Sequence, residues 1–205
     1  MLNNLFKISF RNFWKDKIFS AINILGLTIG LTSCLLIALY LNHELSYDSF
    51  ELKGNRIARV IMEYSFGKGS ESKRGNFTSI RVAPIFKKTF PEVEATVRMA
   101  KYERVVEYQD KLFNEKNFMF ADASFFHLFS FRLVQGNLNT VLSSRNSVIL
   151  TASTAKKYFN KENPVGKSLR VGSDSSLYQI TGVMQDCPTN SQIKFDFLAS
   201  FLHSV

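Results

Sequence analysis

No Asp, Glu, Lys, Arg or His occurs from Ile18 through Leu41, a run of 24 residues, while the stretches on either side mix charged and apolar positions. A helix of that length would reach roughly 36 Å, more than the roughly 30 Å of a bilayer's hydrocarbon core. The pattern therefore predicts a transmembrane helix. A secretory leader is the natural rival near an N-terminus, but its apolar region spans about 7 to 15 residues and ends at a small-residue cleavage site. This run is longer, and it closes on Leu39-Tyr40-Leu41-Asn42-His43, where Tyr40 is the kind of amphipathic ring that sits at a membrane interface. A buried core helix of a soluble fold is disfavoured, because an uncharged apolar run this long is a membrane signal.

Ahead of the run, Leu2, Leu5, Phe6, Phe10, Phe13 and Trp14 recur at helical spacing, with Asn4, Lys7, Arg11 and Lys15 on another face. This predicts either an amphipathic helix lying in the interface or a cytoplasmic extension of the span, and periodicity leaves both open. Lys7, Arg11, Lys15 and Lys17, with Trp14 and Tyr40, are the candidate interface anchors. An excess of Lys and Arg marks the cytoplasmic flank of a span, so the N-terminus is expected in the cytoplasm and the rest of the chain outside it. The expected organisation is a cytoplasmic segment 1–17, a span 18–41 and an exported domain 42–205. Within the span, Gly26 and Gly30 form a GxxxG, and Asn23, Gly26, Gly30 and Ser33 fall on one stripe with Ser20. Small residues at this spacing let helix backbones approach closely, and Asn23 or Ser33 can hydrogen-bond across. A partner helix is implied.

Beyond residue 42 the pattern changes to short apolar stretches. Strands are expected at 56–66, 96–108, 118–121, 147–150, 168–171 and 177–184; in the last, Tyr178 and Ile180 alternate with Gln179 and Thr181. Helices are expected at 79–89, stopped by Pro91, and at 152–159, capped by Thr151 or Ser153. The glycine-rich polar stretch 67–75 reads as a mobile loop, Asp110-Lys111 and 173–176 as turns. Phe125, Phe126, Phe129 and Phe131 read as core packing around a short helix capped by Asp122. Lys194 to Phe201 reads as the start of another core element. Strands and helices mix without strict alternation, so the fold class is α+β: an N-terminal transmembrane helix followed by a mixed α+β extracytoplasmic domain.

The formal charge of +9 changes little in this picture. Residues 1–17 hold four basic and one acidic side chain, and residues 44–205 hold 22 and 16. Most of the excess thus lies outside the cytoplasm, where anionic lipid headgroups or envelope components are the fitting partners and nucleic acid is not expected. Cys34 lies in the span and Cys187 in the exported part, so they cannot pair; Cys187 is a free thiol or the site of an intermolecular bridge. Pro164-Val165-Gly166-Lys167-Ser168 looks like the end of a phosphate loop, but the first required glycine is Lys161. His43, His127 and His203 are scattered, with no metal or nucleophile motif. Asn76-Phe77-Thr78 matches a glycosylation acceptor, a pattern common by chance. No catalytic, cofactor or metal site is expected.

Several blocks, in order, resemble the start of MacB-like, FtsX-related ABC transporter permeases of the Bacteroidetes type. They are Lys7-Ile8-Ser9-Phe10-Arg11-Asn12, Ile22 through Leu31, Glu44 through Phe50, Phe90-Pro91-Glu92-Val93-Glu94, Ala121-Asp122 with Phe125-Phe126 and Phe129, Leu150-Thr151 with Ala155 through Phe159, Asn163 through Lys167, and Ile180 through Val183 with Asp186-Cys187-Pro188. The resemblance implies a non-hydrolysing permease subunit of the inner membrane, whose first helix precedes a periplasmic domain of porter-like and Sabre-like parts. Its implied partners are an ABC ATPase subunit, other permease helices or a second permease copy, a periplasmic adaptor and membrane lipid. It would pass ATP-driven motion to envelope cargo such as peptides, antibiotics or lipoproteins. Family members carry three further membrane helices, so a chain stopping at Val205 is expected to be a fragment of a longer permease. The rival reading is a single-pass sensor or adaptor, against which a cytoplasmic part of only about 17 residues argues.

Overall fold

The computed structural model describes residues 15–65 and 72–201. They fall into two compact units that divide after Tyr47.

The first unit is built on one helix, α1 (Lys17–Leu45), of 29 residues. It holds no proline, and its apolar side chains point in every direction, with none of its residues buried. Such a helix has no soluble face. Among the described residues it alone is long and apolar enough to cross a membrane. The helix does not stop at Leu41, where the uncharged run ends, but continues through Asn42, His43 and Glu44 to Leu45. Its last turn closes where Ser46 Oγ donates to the His43 carbonyl at 2.7 Å, a side chain satisfying an orphan helix carbonyl. The interfacial helix expected ahead of it, with Lys7, Arg11 and Trp14, lies outside the described residues.

The second unit, from Asp48 onward, opens with a 3-10 turn at Gly54–Arg56 and a two-stranded antiparallel sheet of β1 (Met62–Tyr64) and β2 (Lys73–Gly75). The latter corrects part of the loop expected at 67–75. The Tyr64 and Phe77 rings lie 5.7 Å apart, and Phe77 packs so closely over Gly75 that a Cβ there would sit 2.8 Å from it. Aromatic packing on a glycine orders a strand that polarity alone conceals. Helix α2 (Val82–Thr89) follows, shorter than expected because Ser79–Arg81 form its entry turn, and it ends before Pro91 as expected.

The main sheet comprises β3 (Met99–Tyr108), β4 (Lys111–Ala121), β5 (Leu133–Gln135), β6 (Ser147–Thr151), β7 (Ser168–Val171), β8 (Ser176–Met184) and β9 (Phe197–Ser200), in the order β5-β8-β6-β9-β4-β3-β7. Strand β7 also pairs with β8, so six strands close into a ring with β5 appended to β8. Pairs β4–β9 and β6–β8 are parallel and the rest antiparallel. The β3–β4 hairpin turns on Gln109 and Asp110, both at positive φ, one position earlier than the expected Asp110-Lys111. β4 begins seven residues before the expected 118, because its polar first half is held by register with β3.

Two apolar clusters occupy opposite faces of the sheet's centre. Phe118 and Phe120 of β4, Val148 and Leu150 of β6, and Phe197 and Ala199 of β9 join Ala155 and Phe159 of helix α4 (Ala152–Phe159). Their neighbours Met119, Ala121, Ile149 and Leu198 join Phe125, Phe129, Phe131 and Phe195 on the other side. Burial on both faces explains why β6 and β9 read as continuous rather than alternating apolar runs. Phe118 and Phe197 stack at 5.3 Å across the parallel pair. Of the two expected caps, Thr151 and Ser153, it is Thr151 that serves, its hydroxyl accepting from the Thr154 N–H at 3.4 Å. Strand β5 was not legible beforehand: it pairs where Gly136 and Gly182 let the backbones meet, a Cβ on Gly182 falling 2.8 Å from the Gln135 carbonyl.

Candidate functional site

Asn23, Gly26, Gly30 and Ser33 all fall within α1, separated by three, four and three residues, and therefore share one face. A Cβ built on Gly26 or Gly30 meets nothing within 4 Å, so the stripe is open to close approach. Of the candidate anchors, Lys15, Lys17 and Tyr40 are exposed; the described residues exclude Lys7, Arg11 and Trp14.

The structure reveals a second constellation where the chain enters the globular unit. Asp48, with φ of 53°, donates its N–H to the Asn190 carbonyl at 2.8 Å. Its Oδ1 accepts from Ser191 Oγ at 3.1 Å and from the Gln192 N–H at 3.0 Å. Two residues on, the Phe50 ring meets Phe131 edge-on at 5.4 Å. Glu51 Oε2 accepts from the Ser130 N–H at 2.7 Å, while Ser130 Oγ accepts from the Leu52 N–H at 3.0 Å, a reciprocal pair. Lys53 Nζ then donates to the His127 carbonyl at 2.6 Å. Five of the six positions 48–53 are thus gripped by two segments 74 to 144 residues away. Sequence reading missed this grip. Its only local signal was a block of polar residues, Ser46-Tyr47-Asp48-Ser49, directly after an apolar helix.

Elsewhere the polar groups hold the fold together. Asp122, expected to cap the short helix α3 (Phe125–Leu128), does not do so with its side chain; α3 has no side-chain cap. Its carboxylate takes the Arg98 guanidinium instead, through Oδ1 at 2.7 Å, and the Arg98 N–H at 2.9 Å. The hydrogen bonding of the guanidinium to that carboxylate, above all, raises the Arg98 pKa. Buried Glu115 accepts from Lys157 Nζ and Tyr158 OH, each at 2.6 Å, tying α4 to β4. Lys167, the residue of the apparent phosphate motif, is paired with Glu162, and Gly166 turns the chain into β7 at φ of 91°. Among the described residues no cluster of His, Cys, Asp and Glu is arranged to hold a metal. A concavity of about 680 Å³, open to solvent, is lined by Phe131, Arg132, Leu133 and 136–139, with Arg132 its single ionisable group.

The globular unit resembles a Porphyromonas gingivalis domain attributed to a permease, at 27% identity and a TM-score of 0.58. The match covers 66% of this chain and 58% of that domain, so the chain spans under two thirds of its relative. Likeness extends to the periplasmic region of MacB from Actinobacillus actinomycetemcomitans (20% identity, TM-score 0.45, covering 58% and 52% of the two chains). It extends also to the extracellular domain of the ABC-type transporter YknZ from Gram-positive bacteria (17% identity, TM-score 0.40, covering 52% and 54%). No curated protein sequence matches the chain. The family model for the MacB-like periplasmic core domain matches residues 20–202, taking in most of α1 and nearly all of the globular unit. With a candidate membrane helix joined to such a domain, the protein is membrane-associated. The chain belongs to the MacB-like periplasmic core domain family, a domain of ABC-type transporter permeases.

Proposed function

We propose that the chain is the N-terminal portion of a non-hydrolysing permease subunit that carries ATPase-driven motion across the inner membrane into a periplasmic domain acting on envelope cargo. The observation that carries this reading is the grip on residues 48–53. Only Ser46 and Tyr47 separate the last helical residue from Asp48, so displacement of α1 reaches a clamped segment with little slack in the chain. A binding domain on a passive anchor needs no such grip. The excess of cations before α1 supports a cytoplasmic N-terminus. The open stripe through Asn23, Gly26, Gly30 and Ser33 supports packing against other permease helices or a second copy. An ABC ATPase is the proposed energy source, and peptides, antibiotics or lipoproteins are the proposed cargo class, with a periplasmic adaptor as a further partner.

The test is affinity purification of the chain, expressed from its complete reading frame, in a mild detergent or nanodisc. Recovery of an ABC ATPase in stoichiometric amount is expected. Its consistent absence under conditions that keep known permease–ATPase complexes intact would overturn the proposal and favour the sensor or adaptor reading.

A further inference from the structure

Within the grip, Asp48 differs from its neighbours in three ways. It comes first after the helix, it concentrates three hydrogen bonds on three consecutive residues, and it holds a left-handed backbone. Asp tolerates that conformation better than most residues, usually because its side chain bonds locally. Here the carboxylate instead reaches the connection between β8 and β9, 143 and 144 positions away. Ser191 Oγ accepts in turn from the Ile193 N–H at 3.1 Å, so the loop is organised around the hydroxyl that Asp48 holds. Phe195, two residues further, is buried in the second apolar cluster, and β9 lies between β4 and β6 at the centre of the sheet. The path from Asp48 to the core is therefore short and made of directional bonds. The contacts of Glu51 and Lys53, by contrast, end on the segment around α3 at 127 and 130.

We infer that Asp48 is the positioning residue through which movement of α1 is delivered to the β8–β9 connection and thence to the sheet. This rests on the transmission reading above. The requirement is for an acceptor at Oδ1 on a left-handed residue, and charge is secondary. Asn meets that requirement, because its amide oxygen can accept from the same two donors and Asn also tolerates positive φ. Gly keeps the backbone conformation and loses the acceptor.

Hydrogen exchange read by mass spectrometry tests this on the complete permease with its co-purified ATPase in nanodiscs, without nucleotide and trapped with ATP and vanadate. In wild type, the peptides covering 48–53 and 188–193 are expected to be protected together, and 188–201 to change exchange with nucleotide. Asp48→Gly is expected to speed exchange at 188–193 by about tenfold or more, the effect of losing two side-chain hydrogen bonds on local opening, and to abolish the nucleotide response of 188–201. Asp48→Asn is expected to retain both. Ser191→Ala, which removes one donor and leaves the left-handed residue untouched, is expected to fall between them. A responsive wild type whose Asp48→Gly variant responds equally overturns this inference alone. A wild type silent to nucleotide, though its ATPase is bound and turning over, overturns the transmission reading and this inference with it.

Discussion

Arg98 and Asp122 are joined in three ways: the backbone N–H and the guanidinium of Arg98 both donate to the Asp122 carboxylate, and the Asp122 N–H donates to the Arg98 carbonyl at 3.2 Å. Both side chains are about four-fifths covered, so the pair is only partly screened by solvent. If Asp122 served chiefly as a helix cap, Asp122→Asn would cost almost nothing, since Asn caps as well as Asp. The pairing instead predicts a loss of about 1–2 kcal/mol for Asp122→Asn and about 2–3 kcal/mol for Asp122→Ala, as a charged acceptor and then all acceptance is removed. Denaturant unfolding of the globular unit within the intact chain would measure both.

Glu115 is the one charged residue among the described residues counted as buried, and it holds Tyr158 OH at 2.6 Å. Burial first, and then this hydrogen bond, push the Tyr158 pKa well above its ordinary value of 10.0. Because the folded value is raised, the stabilising contribution is complete below pH 10 and drains away above it, as the unfolded chain's tyrosine ionises first. Stability is therefore expected to fall as pH rises from 10 towards 12, and Tyr158→Phe should flatten part of that slope. Thermal unfolding across this pH range would read the difference, and identical slopes would rule out the linkage.

Gly26→Ile and Gly30→Ile should leave the globular unit unchanged, since both positions lie in α1, outside that unit, and a Cβ at either meets nothing within 4 Å. Their effect is expected on association: recovery of partner helices or a second copy should fall by about tenfold for the double variant, the scale of losing one close helix contact. Crosslinking in native membranes would show it. Unchanged association would mean that this stripe faces lipid.

Cys187 is half-buried, its thiol donates to the Phe195 carbonyl at 3.5 Å, and burial is the main cause of a thiol pKa above the usual value. A raised pKa leaves little thiolate near neutral pH, and only the thiolate reacts readily. Alkylation by iodoacetamide at pH 8 is expected to be about tenfold or more slower in the native protein than in urea. Of the two fates open to this cysteine from sequence, the structure favours the free thiol. A quantitative intermolecular disulfide under non-reducing electrophoresis would contradict it.

Elements whose cause is local could be read from the sequence. α4 follows from a Thr cap and an amphipathic octet, and the Phe125, Phe129 and Phe131 cluster follows from residue type alone. Asp122 was misread because a cap at that position and an ion pair with a residue 24 positions earlier look identical from nearby residues. β2 and the first half of β4 were hidden for a related reason. Their side chains are mostly polar and exposed, so what orders them is pairing with a partner strand rather than any apolar period of their own.

What the sequence by itself determined is α1, because length and all-round apolarity are properties of a single segment, together with the α+β class, the strand β6 and the core character of the segment that holds β9. What only the tertiary structure decided is the closure of six strands into a ring and the grip of Asp48 and Glu51 on distant loops. Those depend on which segments meet after long loops have closed, and a hydrogen bond spanning 143 positions leaves no periodic trace in the residues that make it.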